Sequence, residues 1–419
     1  MEVAPVPPQK VLIPEIFADA LKPSLIRNLF EEGARLRKSH GDEVLDFSLG
    51  NPTLPPPEEF QKALAEVTAH PPPDLHSYMP NVGRPQTRAA IAAELSKWHN
   101  IPLRAEHFVL SCGAAAAISV LFHCIIPEDS EVIIIAPFFA EYLQYIKIAR
   151  SKAVIVQSDE HYDLDVDAIE KAITPKTRAI IINSPNNPTG KIYSEATLRK
   201  LGEMLMKVYT KRLSESRDAS PVFVVSDEPY RRLSYLGKDT PLPSIFNCYS
   251  YSFIVSSFSK DLSLPGERIG FIIMHPCLFS SEMQGALSTA TRVLGFVNAP
   301  SSIQFAVERS ISCDVSASVE WYKQRRDVFH KGLVEAGLQC ELPEGAFYLF
   351  PRVPEGVTDK EFSEALKKRL VLAVPGCAFG DSRSVRFAYC CDMETIEKAI
   401  PRIAETVKEI KEQKAAATK

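Results

Sequence analysis

The chain has 419 residues, 45% of them hydrophobic and 24% charged, with a formal net charge of -4. That length suits about two or three domains, and that balance suits an ordinary globular enzyme. The charge gives no electrostatic reason to expect nucleic acid or an acidic membrane as a partner. No apolar run nears the roughly 20 residues of a membrane span.

Met1 to Lys10 lacks the apolar core of a signal peptide, so a cytoplasmic protein is expected. The nine cysteines form no CxxC pair, and the nine histidines show no HExxH, so no metal site is expected. Leu25 to Lys38 predicts a helix, followed by a short strand ending near Asp46. Phe108–Leu110 predicts a strand that leads into Ser111-Cys112-Gly113-Ala114-Ala115-Ala116-Ala117, the opening of a helix. Small residues there let backbone N–H groups approach an anion at the positive helix end. A closely packed helix start explains the alanines equally well. Neither GxGxxG nor GxxxxGK[ST] occurs, so nucleotide binding lacks its usual support.

From Val132 onward, short apolar runs alternate with amphipathic segments such as Leu164–Ala172 and Ser194–Thr210. The runs Val132–Ala136, Ala179–Ile182, Val222–Val225, Phe253–Val255 and Phe271–Met274 are mostly β-branched or aromatic and lack polar alternation. Such runs predict strands buried on both faces, hence an α/β fold with a mostly parallel sheet between helices. A polar or aromatic cluster follows each of four runs: Pro137-Phe138-Phe139, then Asn186-Asn187-Pro188-Thr189-Gly190, then Asp227-Glu228-Pro229-Tyr230, then the serines before Lys260. Each has a bland explanation taken singly: a core aromatic, a turn, a helix cap, a surface lysine. In open parallel sheets, however, ligands bind at the carboxyl ends of strands, and the three polar clusters at three strand ends converge on one crevice.

The stretch Ser256 to Gly270 is the most informative. Lys260 sits in a hydroxyl-rich turn just after a strand, and Arg268 follows eight residues later. Lysine amines form covalent adducts with aldehydes such as pyridoxal phosphate (PLP), and serines with an arginine suit its phosphate. A functional Asp227 would keep a pyridine nitrogen protonated, Asn187 and Tyr230 would bond a phenolic oxygen, and Phe139 would stack on a planar ring. Arg386, in the strand-like segment Ser384–Tyr389, could pair with an α-carboxylate or be a surface ion pair.

Beyond about Ile303 the pattern changes. Val315–Leu338 predicts a long helix with Trp321, Tyr322, Phe329 and Leu333 on one side. Gly345–Phe350, a helix near Lys360–Arg369, Val371–Val374, Ser384–Tyr389 and a final helix from Met393 to about Glu412 complete a smaller α+β domain. The division expected is a large domain of residues 61–303, with residues 1–60 and 304–419 forming the small one.

Taken in order, Gly50-Asn51-Pro52, Tyr78 to Gly83, Gly113 to Ala117, Pro137 to Phe139, Asn186 to Gly190, Asp227 to Tyr230, Ser257 to Gly270 and Arg386 resemble the class I/II aminotransferases of PLP fold type I, the aspartate aminotransferase-like branch. The resemblance spans roughly residues 25 to 408. It implies a seven-stranded, mostly parallel sheet and a ping-pong exchange of an amino group between an L-amino acid and a 2-oxo acid. It also implies that Lys260 carries PLP and serves as the acid and base. Asp227 would hold the pyridine nitrogen, and Asn187 and Tyr230 the phenolic oxygen. Ser257, Arg268 and the amides of Ala114 and Ala115 would hold the phosphate. Gly50, Asn187 and Arg386 would receive the substrate, and Tyr78 would reach the phosphate of a neighbouring subunit in a homodimer. Arg292 lies near the place of an arginine that reads a distal carboxylate, but its offset from Asn298-Ala299-Pro300 differs by one residue from that pattern. Other PLP reactions on the same scaffold (β- or γ-elimination, cyclisation, oxidative deamination) begin from the same motifs. A non-enzymatic regulator lacks any helix-turn-helix or basic patch to support it.

Overall fold

A computed structural model gives the fold, and it describes residues 25–237 and 240–417 together with residues 7, 11–14 and 18. The stretch 1–10 read for a signal sequence lies outside the described residues, apart from residue 7. Helix α1 spans Leu25–His40 and leads to strand β1, Leu45–Asp46. Helices α2 (Glu58–Ala69) and α3 (Pro85–His99) precede β2 (Phe108–Ser111), α4 (Ala114–Ile125), β3 (Glu131–Ala136), α5 (Tyr142–Ile148) and β4 (Lys152–Gln157). Next come α6 (Val166–Ala172), β5 (Thr177–Asn183), α7 (Glu195–Glu215), β6 (Phe223–Asp227), β7 (Ser252–Ser257) and β8 (Gly270–Met274).

Strands β2 to β8 form one seven-stranded sheet in the order β2-β8-β7-β6-β5-β3-β4. Only β8 runs against its neighbours. The absence of polar alternation in these strands has a direct cause, because both faces are covered. Ile133, Ile180, Ile182, Val224 and Ile254 point into one core, while Ile134, Ile181, Val225, Phe253 and Val255 point into the other. Truncating any one of them to alanine should cost about 2–5 kcal/mol. Strand β4 falls outside the sequence expectation. It is the sheet's edge, with Lys152, Ile155 and Gln157 exposed, although Ala153-Val154-Ile155-Val156 is a continuous apolar run.

The C-terminal part begins with α8 (Ser281–Val293), α9 (Ser301–Ser310) and α10 (Ser316–Glu335). Then follow β9 (Tyr348–Leu349), α11 (Asp359–Lys367), β10 (Val371–Leu372), β11 (Val374–Pro375), β12 (Val385–Ala388) and α12 (Met393–Ala417). The single strand predicted over Val371–Val374 is two: β10 pairs with β1, and β11 pairs with β12, which also pairs with β9. Helix α12 runs five residues past the expected end near Glu412. Phe47 packs against Phe329 and Phe387 with ring centroids 5.0 and 5.8 Å away, which ties the segment after β1 to α10 and β12. Tyr322 and Leu333 of α10 join the same core, with Trp321 at its rim.

Candidate active site

Three strand ends lie side by side. Asn183, the last residue of β5, sits across the ladder from Asp227, the last of β6, and Asp227 sits across from Val255 of β7. The chain leaving each end therefore delivers Asn187, Tyr230 and Lys260 to one place. The Asn183 side chain fixes two of these turns, since its Oδ1 accepts from the Asn187 N–H at 2.7 Å and its Nδ2 donates to the Asp227 carbonyl at 2.8 Å.

An anion cradle stands at the start of α4. Gly113 caps that helix with φ +89°, where a side chain would be strained, and a β-carbon there would lie 2.5 Å from Nη2 of Arg268. Arg268 is held by donation to the carbonyls of Pro265 (2.9 Å) and Cys112 (3.1 Å). The guanidinium thus stands over the first backbone N–H groups of the helix, Ala114 and Ala115, with Ser257 beside them in the same cavity.

Asp227 is buried, and Tyr142 donates to its Oδ2 at 2.5 Å. Its Oδ1 is buried without a partner. Burial pushes the carboxyl up to about 7, against the Tyr142 hydrogen bond that favours the ionised form. Tyr142 keeps its own proton, because burial and the adjacent carboxylate raise its pKa far above the ordinary phenol value.

Lys260 donates from Nζ to the Gly50 carbonyl at 2.7 Å. Burial, helped by Arg386 and Arg268, pulls its amine down to about 8, while the neighbouring Cys390 thiol opposes the shift. Arg386 is 3% exposed, and no carboxylate lies within ion-pair distance of it among the described residues. It donates to Asn187 Oδ1 at 3.1 Å and to the Ser48 carbonyl at 2.5 Å, and its Nε is buried without a partner. The ring of Tyr348 lies 4.8 Å beneath the guanidinium, and the Tyr348 hydroxyl shares a 2.7 Å hydrogen bond with that of Tyr230.

These groups line one cavity of about 320 Å³. Every expected site residue lines it except Tyr78, which is 94% exposed and stands in a separate cleft beside residues 295–302. Arg292 is exposed in the last turn of α8 and lines neither. The sequence reading missed Asn183, Tyr142, Tyr348, Leu49 and Ile26. Asn183 carried a signal, a polar residue closing a buried run; Tyr142 lies three residues past Phe139, and the two rings meet edge-on at 5.5 Å. Tyr348 sits inside an apolar run and carried none.

The donor set fits a phosphorylated pyridine aldehyde. It offers a depressed amine for the aldehyde, an unpartnered carboxylate oxygen for a ring N–H, and an arginine over a helix start for the phosphate. Consistent with this, residues 42–403 match the family described as aminotransferase class I and II. The chain belongs to that family, the PLP-dependent transaminases of α/β fold. It is 30% identical over 401 residues to an aspartate aminotransferase of Pyrococcus abyssi, covering 94% of this chain and 98% of that one. It is 29% identical over 401 residues to an aromatic-amino-acid aminotransferase of Thermococcus litoralis, covering 94% and 98%. Among solved structures, an amino transferase from Eubacterium rectale superposes with a TM-score of 0.87 at 36% identity, covering 95% of this chain and 99% of that one. The aspartate aminotransferase of Thermus thermophilus with maleate gives 0.83 at 26% identity, covering 94% and 99%.

Proposed function

We propose that this chain moves an amino group between an L-amino acid and a 2-oxo acid by a ping-pong mechanism, with pyridoxal 5'-phosphate held on Lys260. The observation that carries the reading is Arg386, a buried guanidinium with an unpartnered Nε and no counter-carboxylate in reach among the described residues, sharing a cavity with the Lys260 amine. An unpaired buried cation costs several kcal/mol, and a substrate α-carboxylate offsets that cost.

The proposed roles follow from the atoms available. Asp227 Oδ1 takes the pyridine N–H; Asn187 and Tyr230 bond the phenolic oxygen; Phe139 covers the ring. Ser257, Arg268 and the amides of Ala114 and Ala115 hold the phosphate. When bound, PLP supplies an electron sink for the charge left at the α-carbon.

Lys260, released when the substrate amine takes its place, removes the α-proton at Nζ and later returns a proton. A pKa near 8 keeps both its neutral and charged forms accessible at physiological pH. Arg386 and Gly50 orient the α-carboxylate, and the ionised Asp227 holds the ring nitrogen charged.

A homodimer with shared sites, in which Tyr78 reaches the neighbouring subunit's phosphate, belongs to this reading. So do a cytoplasmic location and a division into residues 61–303 and the two flanking stretches. No described helix is long and apolar enough to cross a membrane. Steady-state rates with paired amino and 2-oxo acids test the reaction. Parallel double-reciprocal lines are expected, whereas ammonia released without any 2-oxo acid would contradict the transfer.

A further inference from the structure

We infer that the amino acid received here has an uncharged, apolar side chain and is preferred over aspartate; the inference rests on the transaminase reading and names its substrate class. Among the described residues that line it, the cavity has three cations, Lys260, Arg268 and Arg386. Each has a task in that reading: the aldehyde, the phosphate and the α-carboxylate. Aspartate's short side chain would keep its second carboxylate inside the cavity. A carboxylate there needs a further cation or a cluster of donors, and leaving it desolvated and unpaired is strongly unfavourable. Among the described lining residues no fourth cation exists.

The wall is apolar at Leu49 and Ile26, while Tyr145 and Ser259 carry hydroxyls elsewhere along it. Leu49 is 46% exposed although it borders the cavity, and Ile26 of α1 lines the same mouth. Leu49 precedes Gly50, whose carbonyl accepts from Lys260 Nζ, so this surface lies next to the reacting amine. Tyr348 continues it beneath Arg386. An apolar side chain seated against Leu49 and Ile26 removes that surface from water, whereas a carboxylate gains nothing from it.

Among the described residues, the cleft around Tyr78 offers no further cation either. The Tyr78 cleft, about 590 Å³, would face a second copy in the proposed dimer. Its wall carries Phe296, Val297 and Asn298, and no lysine or arginine among the described residues. Arg292 stands one turn earlier, on the exposed end of α8 and outside that cleft.

The test uses holoenzyme in a single half-reaction, following loss of the lysine-bound cofactor absorbance with L-phenylalanine, L-leucine, L-methionine and L-aspartate. The expected kcat/KM for the best apolar donor exceeds that for aspartate by about ten-fold or more. Aspartate equal to or better than all three overturns the inference and leaves the transaminase reading intact. No conversion by any amino acid overturns both. Calorimetry with unreactive acids gives a readout independent of turnover: 3-phenylpropanoate is expected to bind at least about ten-fold more tightly than maleate, and tighter maleate overturns the inference. Leu49→Arg and the milder Leu49→Asn, each checked for retained cofactor absorbance, are expected to shift the donor ratio toward aspartate. An unchanged ratio in both removes Leu49 from the side-chain wall. Arg292→Ala is expected to leave the ratio unchanged, and a selective loss of aspartate conversion overturns the assignment.

Discussion

Tyr230 and Tyr348 share a hydrogen bond of 2.7 Å between their hydroxyls, 118 residues apart in sequence and both buried. Tyr348 also leaves no room at position 50, since a β-carbon on Gly50 would collide with its hydroxyl. The tyrosine therefore joins the residue proposed to bond the phenolic oxygen to the guanidinium proposed to hold the substrate. Tyr348→Phe removes a hydrogen bond worth about 0.5–1.5 kcal/mol, so kcat/KM should fall roughly 2- to 12-fold. The absorbance of the bound cofactor should shift with it. Unchanged kinetics and an unchanged spectrum would show that the pair is only packing.

Arg386 separates function from stability. Removing an unpaired buried charge is often neutral or stabilising. Arg386→Met is therefore expected to leave the melting temperature of the ligand-free protein unchanged or higher. Capture of the amino donor should nevertheless weaken by at least about thirty-fold in kcat/KM. A large loss of stability with near-normal kinetics would reverse the assignment.

The Lys260 amine gives a pH signature with a definite sign. Its folded pKa, near 8, lies below the ordinary lysine value of 10.5, so the native chain binds fewer protons than the unfolded chain between those values. Native stability therefore gains from this group as pH rises through that window and loses the gain below it. Because only the neutral amine attacks an aldehyde, capture of added PLP by cofactor-free protein should speed up about ten-fold between pH 7 and 9. Stopped-flow absorbance measures this, and a rate that climbs only near pH 10 would contradict the depressed amine.

Asp227 behaves in the opposite sense. Its ligand-free pKa, about 7 against the ordinary carboxyl value of 3.8, means that the native state holds a proton through that interval, and this stabilising contribution is lost as pH rises through 7. Tyr142→Phe removes the hydrogen bond that favours the carboxylate, so the midpoint should move higher still. Carboxyl carbon NMR of the ligand-free protein reads this directly, and a midpoint near 4 in either form would refute the burial argument.

The sheet and most of the site were legible in the sequence because both depend on local runs. Val132–Ala136 and Ala179–Ile182 are apolar on both faces, and the motif residues Asn187, Asp227 and Lys260 stand just past such strands. The edge strand Lys152–Gln157 carried the same local signal, the apolar run Ala153–Val156, and the sequence reading passed over it. Tyr348, by contrast, was hidden: its role arises from β9 being paired to β12, which carries Arg386, and no local pattern encodes that pairing. Likewise the Gly50 carbonyl meets Lys260 only after 210 residues of chain have folded.

The central claim is that the Lys260 amine covalently holds the cofactor in the resting protein. Borohydride reduction of the purified holoenzyme, followed by proteolysis and mass spectrometry, measures it directly. The account predicts that the peptide containing Lys260 gains a phosphopyridoxyl group and that no other lysine does. An unmodified Lys260, or the label on another lysine, would contradict it.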